Sequence, residues 1–301
     1  MTDLGTLDGR TSDASAINNR GQVVGSSSAD STRGVSRAVL WDKEGIQDLG
    51  TLGGRQSLAS DINDRGQVVG SSMTASGEWH GFLWDHGVTT DLGTIEGFNS
   101  YSPGAVNDRG QVMVYARDVY SLHWHAALWD HGTLLDLGTL GGENSSPSGL
   151  NARGQVVGES TTRSGETHAF IWEQGSMTDL GTLGGPYSSA SAINDRGQVV
   201  GYSATALGEW HAFIWEKGAM LDLGTLGGDL SLASGLNERG QVIGYSETMT
   251  ADETHAFVWE GGVMTDLGTS GALSSAMQIN NRGQIAGFEP FPTAAVWQPT
   301  P

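Results

Sequence analysis

The octapeptide NDRGQVVG occupies Asn63–Gly70 and returns unchanged at Asn194–Gly201. Related stretches begin at Asn18, Asn107, Asn151, Asn237 and Asn280, so one phrase recurs seven times at intervals of 43 to 45 residues. Self-similarity at a fixed period of this length marks an array of equal supersecondary units. Numbering the repeats by these asparagines, repeat five is framed by DLGTLGGPYSSASAINDRGQVVGYSATALGEWHAFIWEKGAML, Asp179–Leu221.

Four short β segments can be read in that unit. SSASAIN leads into QVVGYS through NDRG, whose glycine supplies the left-handed backbone that a tight hairpin needs. HAFIW follows, alternating and aromatic-rich, and a second glycine turn leads to MLDLGTL. Helical periodicity is absent. Four strands per repeat, taken seven times, predict an all-β, seven-bladed β-propeller of four-stranded blades forming a single domain over residues 1–301. The chain starts inside a unit, at TDLGTL (Thr2–Leu7), and stops inside one, after AAVWQ (Ala294–Gln298). Pairing the N-terminal strand with the three C-terminal strands would complete the last blade and hide two sheet edges. Small residues mark the first segment as the innermost strand, and the Trp of HAFIW (Trp172 in repeat four) is predicted to be core.

Charge is unbalanced: 15 Lys and Arg stand against 34 Asp and Glu, a net of −19. Such a field repels nucleic-acid backbones and anionic lipid surfaces and suits neutral or cationic ligands. The 46 glycines, without low complexity, fit many tight turns. With no cysteine there is no disulfide or thiolate chemistry. No stretch has the length of an apolar membrane helix, and no signal-peptide pattern opens the chain. A monomer without cofactor, and without nucleic-acid or membrane partner, is expected; the compartment is left open.

HAF within ETHAFIW (Glu166–Trp172), together with DLGTLGG and INDRGQVVG, resembles the HAF-repeat family, described as bacterial extracellular repeats. The resemblance covers nearly the whole chain and implies a propeller-like β fold and an extracellular setting, with little about activity. Arg37 and Thr293 replace the HAF histidine in repeats one and seven.

A catalytic group is needed once, a structural group in every repeat. His80, His125, His168, His211 and His255 share one repeat position, as do the Asp of DLG, and an internal hydrogen bond is the expected role for both. His123 and His125 lie on one strand face as a conceivable metal pair, but no third ligand is identifiable and no metal site is assigned. The NDRG and WEKG turns are nearly constant at one end of each blade. Residues following LGG and residues linking the second and third strands vary at the other end, where binding on a rigid scaffold would concentrate. Arg55, Trp79, Phe98, Trp124, Tyr187, Tyr202, Trp210 and Tyr245 are the candidate ligand-binding residues there. A small molecule, glycan or peptide is the expected partner, since aromatic platforms suit ring-bearing ligands. Repeat three departs furthest, with Val114 for glycine, a one-residue insertion, and the singular Tyr115, Arg117, Asp118 and His123. With Asp61, a carboxylate in an otherwise small strand, these are the candidates if the chain is instead a lyase-, cyclase- or isomerase-type enzyme. A protein-interaction platform is the third possibility.

Overall fold

A computed structural model describes residues 3–8, 10–30, 34–250, 253–268, 273–289 and 293–297. All regular structure among them is β, and each repeat follows one plan. In repeat five the strands are Gly184–Ile193, Val199–Thr205, Trp210–Glu216 and Ala219–Asp222, paired antiparallel in sequence order. The first strand is longer than its small-residue core, so the variable residues after LGG lie within a strand rather than in a link. The last strand ends at the Asp of DLG. There the carboxylate accepts the amide of the second residue on, as in Asp179 with Gly181 N at 2.7 Å, and turns the chain out of the sheet.

Seven closed four-stranded blades are not what forms. The strands make three four-stranded sheets, one twelve-stranded sheet and a final three-stranded sheet. Two local pairings account for the large sheet. Thr167 pairs in parallel with Tyr187, and Trp210 with Leu230, so repeats four, five and six are stitched edge to edge. The final sheet keeps three strands, Ser275–Ile279, Ile285–Glu289 and Thr293–Trp297. Of the expected closing strand, Thr2 lies outside the described residues and Asp3–Thr6 forms no strand.

The chain divides into two compact units, Met1–Gly138 and Thr139–Pro301. In each, core side chains fill the space between successive repeats. In the second unit Ala169, Ile171 and Leu180 of repeat four pack against Ala190, Val199 and Phe213 of repeat five. Val200, Ala212 and Ile214 of repeat five then meet Ala233, Val242 and Phe257 of repeat six. The alternation in HAFIW therefore divides its strand between two cores: Phe and Trp face the preceding repeat, Ala and Ile the following one. Between repeats one and two, Val24, Ala38 and Leu40 meet Ile62, Val68, Phe82 and Trp84 in the same way.

Three polar devices recur and explain most of the invariant residues. The turn Asn braces its own hairpin and, at five joints, reaches the next. Asn194 Oδ1 accepts the Arg196 and Gln198 amides at 3.0 Å, while Nδ2 donates to Gln198 Oε1 at 2.8 Å and to the Asn237 carbonyl at 3.1 Å. Equivalent bonds run from Asn18 to Asn63 and from Asn63 to Asn107 in the first unit, and from Asn151 to Asn194 and from Asn237 to Asn280 in the second. Secondly, a buried serine of the first strand ties adjacent repeats: Ser188 Oγ accepts Ala169 N and donates to the Gly181 carbonyl. Thirdly, the HAF histidine donates from Nδ1 to the DLG aspartate at 2.8 to 2.9 Å in all five repeats that have it. The expectation of an internal structural bond holds for His80, His125, His168, His211 and His255.

The glycine of QVVG has a separate reason. A bulge in the first strand brings a backbone carbonyl to where its Cβ would stand, so a Cβ at Gly201 would lie 2.0 Å from the Ser189 oxygen.

Candidate functional site

Repeat five carries an aromatic residue at each of three variable positions, and the strands bring them together. Tyr202 pairs with Ala212 and Ala204 with Trp210, so Tyr202 and Trp210 are diagonal neighbours on one sheet face. Ala204, small and buried, leaves room between them. Tyr187 enters from the first strand. Its ring lies 6.0 Å from Tyr202, nearly parallel, and 5.2 Å from Trp210, edge-on; Tyr202 and Trp210 are 5.9 Å apart. These separations are those of favourable aromatic pairs. Trp210 remains 36% exposed, so part of its surface is offered to solvent.

A carboxylate completes the group. Tyr187 donates its hydroxyl hydrogen bond to Glu159 Oε2. Glu159 stands in repeat four where Tyr202 stands in repeat five, each at the middle of its seven-residue strand, Val156–Thr162 and Val199–Thr205. Burial, and then the hydrogen bond to Glu159, push the Tyr187 phenol far above its ordinary range, so it stays a protonated donor at neutral and mildly alkaline pH. The result is a preformed aromatic corner with one fixed anionic edge.

Three of the eight candidate ligand-binding residues, Tyr187, Tyr202 and Trp210, thus meet in one place. Tyr245 takes the Tyr202 position in repeat six, where its strand neighbours are Leu232 and Ala256. In the first unit Phe98 packs on His125 at 5.0 Å, Trp79 pairs across strands with Met73, Trp124 pairs with Arg117, and Arg55 is exposed on its strand. Glu159 was not among the candidates. The signal for it was its place in a column of otherwise Ser, Tyr and Phe residues after the QVVG glycine.

Repeat three arranges its singular residues around a turn. Asp118 accepts the Tyr120 and Ser121 amides, the Ser121 hydroxyl and Asn99 Nδ2. Chiefly the Ser121 hydroxyl, and then the Tyr120 amide, hold its carboxyl below the usual range. A carboxylate so saturated with donors braces a loop and is poorly poised as a general acid. His123 is exposed on the same turn, its carbonyl accepting the Asp118 amide, while Tyr115 and Arg117 lie two residues apart on the adjoining strand. Asp61 lies apart from them in repeat two. Its Oδ2 accepts the Val106 amide of repeat three at 2.8 Å, and burial raises its carboxyl despite that bond. Tyr101, which no sequence pattern singled out, is buried in repeat three and donates to the Ile95 and Phe98 carbonyls, anchoring the inserted loop.

No protein-family model matches this chain, and no curated protein matches it significantly. Solved structures do. The β-propeller domain of the Trilobed protease of Pyrococcus furiosus, which has an open velcro topology, matches with a TM-score of 0.51 at 13% identity, over 86% of this chain and 84% of that one. A dipeptidyl peptidase 4 of Porphyromonas gingivalis matches with 0.56 at 12% identity, over 91% of this chain and 50% of that one. A puromycin-hydrolyzing peptidase of Mycobacterium tuberculosis gives 0.55 at 13% identity, over 95% and 50%. This chain spans about half the length of the two peptidases. At such identities the likeness is one of fold, and the fold is propeller-like.

Proposed function

We propose that this chain is a ligand-binding scaffold of the HAF-repeat kind, with Tyr187, Tyr202, Trp210 and Glu159 as its site. Its occupant is a neutral or cationic ring-bearing molecule, a small molecule or glycan. One observation carries the reading: three aromatic rings from three strands converge in a single repeat, beside a carboxylate supplied by its neighbour. A ring laid on Trp210 would gain apolar contact from its face, and hydroxyl or ammonium groups at its edge would reach Glu159. The net charge of −19 favours the same classes.

A peptide is the second reading. Leu207 is 84% exposed and Met249 87% exposed, in the turns after the second strands of repeats five and six, at the same end of their sheets as the aromatic corner. Apolar side chains of an extended peptide would find partners there.

The test is titration of the full chain with neutral, cationic and acidic saccharides and with short peptides, read by tryptophan fluorescence and calorimetry. For any ligand found, Trp210→Ala and Tyr202→Ala should each weaken binding about tenfold, as loss of one aromatic contact implies. Unchanged affinity in both variants would remove this site.

A further inference from the structure

The constant end of the repeats, opposite the aromatic corner along each sheet, holds a second kind of site. A cavity of about 390 Å³ lies between repeats four and five, lined among others by Arg153, Ile171, Glu173, Arg196, Trp215 and Lys217. A cavity of about 300 Å³ lies between repeats one and two, lined among others by Arg20, Leu40, Asp42, Arg65, Trp84 and His86. Taken in order, these are the same six repeat positions. The same recess is therefore found in each compact unit.

Its chemistry runs against the rest of the molecule. The chain has 15 cationic side chains against 34 acidic ones, yet each recess joins two guanidinium groups to one carboxylate at its wall. Lys217, paired with Glu216 at 3.1 Å, stands at the edge of one recess, and His86, bonded to Asp85, takes its place in the other. The upstream arginine arches over the glycine of the next turn: Arg153 Nη2 stands 3.0 Å from where a Cβ of Gly197 would be. Arg20 gives Nη1 to the Asp64 and Arg65 carbonyls, and Arg196 gives Nη1 to the Glu238 carbonyl. A guanidinium carries five N–H donors in a planar fork matched to a carboxylate. Ile171 and Trp215 line one recess and Leu40 and Trp84 the other, where the His86 ring stacks on Trp84 with centroids 6.5 Å apart.

We propose that these two recesses are equivalent binding sites for a carboxylate borne on a ring, such as a uronic acid or an aromatic acid. The carboxylate sits between the paired guanidinium groups and the ring lies against Trp215 in one recess and against the His86–Trp84 stack in the other. The aromatic corner of repeat five selects neutral or cationic ligands at the other end, so the two sites fail or stand separately.

The experiment is calorimetric titration of the full chain with glucuronate and benzoate, with glucose and inorganic phosphate as controls. Saturable binding of the carboxylates at two or more sites per chain is expected, weakening with added salt, with glucose silent. Arg65→Gln is the informative variant, because the Arg65 side chain makes no hydrogen bond among the described residues. It should abolish or weaken about tenfold one class of sites while the melting temperature stays put. Arg196→Gln should do so for the other recess, with far-UV circular dichroism confirming the fold. Absence of saturable carboxylate binding, phosphate binding as tight as glucuronate, or unchanged stoichiometry and affinity in both variants would overturn the proposal.

Discussion

Replacing Asn194 by alanine isolates what the repeated turn does. The side chain is 4% exposed and makes four hydrogen bonds, two accepted from amides of its own turn, one donated to Gln198 and one donated to the next repeat. At about 1 kcal/mol net for each bond, Asn194→Ala should cost about 4 kcal/mol, within a range of about 2 to 6. Asn280 is the internal control. It makes the same three bonds within its own turn, to Arg282, Gln284 and the Gln284 side chain, but it is exposed, and water can replace its partners. Asn280→Ala should therefore cost about 1 kcal/mol. Asn194→Asp keeps the two accepted bonds but turns a carboxylate oxygen toward Gln198 Oε1 and the Asn237 carbonyl, so it should cost at least as much as the alanine change. The assay is urea unfolding of the full chain followed by circular dichroism and tryptophan fluorescence together. Coincident curves show that one transition is being read. If Asn194→Ala and Asn280→Ala destabilise equally, or if Asn194→Ala costs less than about 1 kcal/mol, the inter-repeat ladder is not what holds successive turns in place.

Other perturbations test other parts of the scaffold. Trp172 is 7% exposed, and Trp172→Ala should cost about 3–5 kcal/mol in the same unfolding assay; a loss under about 1 would argue against its role in packing. Gln174 sits at φ 50° before Gly175, where repeat six has Gly261 at φ 61°. Gln174→Gly should therefore raise the melting temperature, by about 1 kcal/mol of stability, and a lower melting temperature would refute that strain. Asp61 binds its proton more readily folded than unfolded, because burial raises its carboxyl. Its contribution to stability therefore declines as pH climbs from the unfolded carboxyl value through the raised folded one. Asp61→Asn can still accept the Val106 amide, so it should remove this slope and stabilise the chain at neutral pH. Unfolding curves taken from about pH 4 to about pH 8 would show it, and an unaltered slope would contradict it.

The repeat unit was legible because its signals are local. Glycines at turns, alternation in HAFIW and a 43-residue period need no knowledge of the rest of the chain. The ends of strands were less so. Reading MLDLGTL as one strand missed that an aspartate side chain can capture the Gly181 amide and end the strand at Asp179. Sheet closure was misread for a related reason: the parallel pairings at Thr167 and Trp210 are single contacts with no motif of their own. Variability marked the columns after LGG, after QVVG and before the HAF histidine; repeats three and five both carry aromatics in them, and in repeat five Tyr187, Tyr202 and Trp210 meet. Glu159 escaped because its partner belongs to another repeat. Asp118 looked catalytic for its rarity, while its four donors, spread over a turn and the inserted loop, are visible only in space.

The asparagine that fastens each turn to its successor also bears on how such a chain grows. At the joints described above, one repeat offers a donor and the next an acceptor, in identical chemistry. A duplicated segment would arrive already able to dock at both borders, with no compensating substitutions in its flanks. Length is therefore left unspecified by the joint itself, and variation is free to accumulate in the columns that the joint does not use.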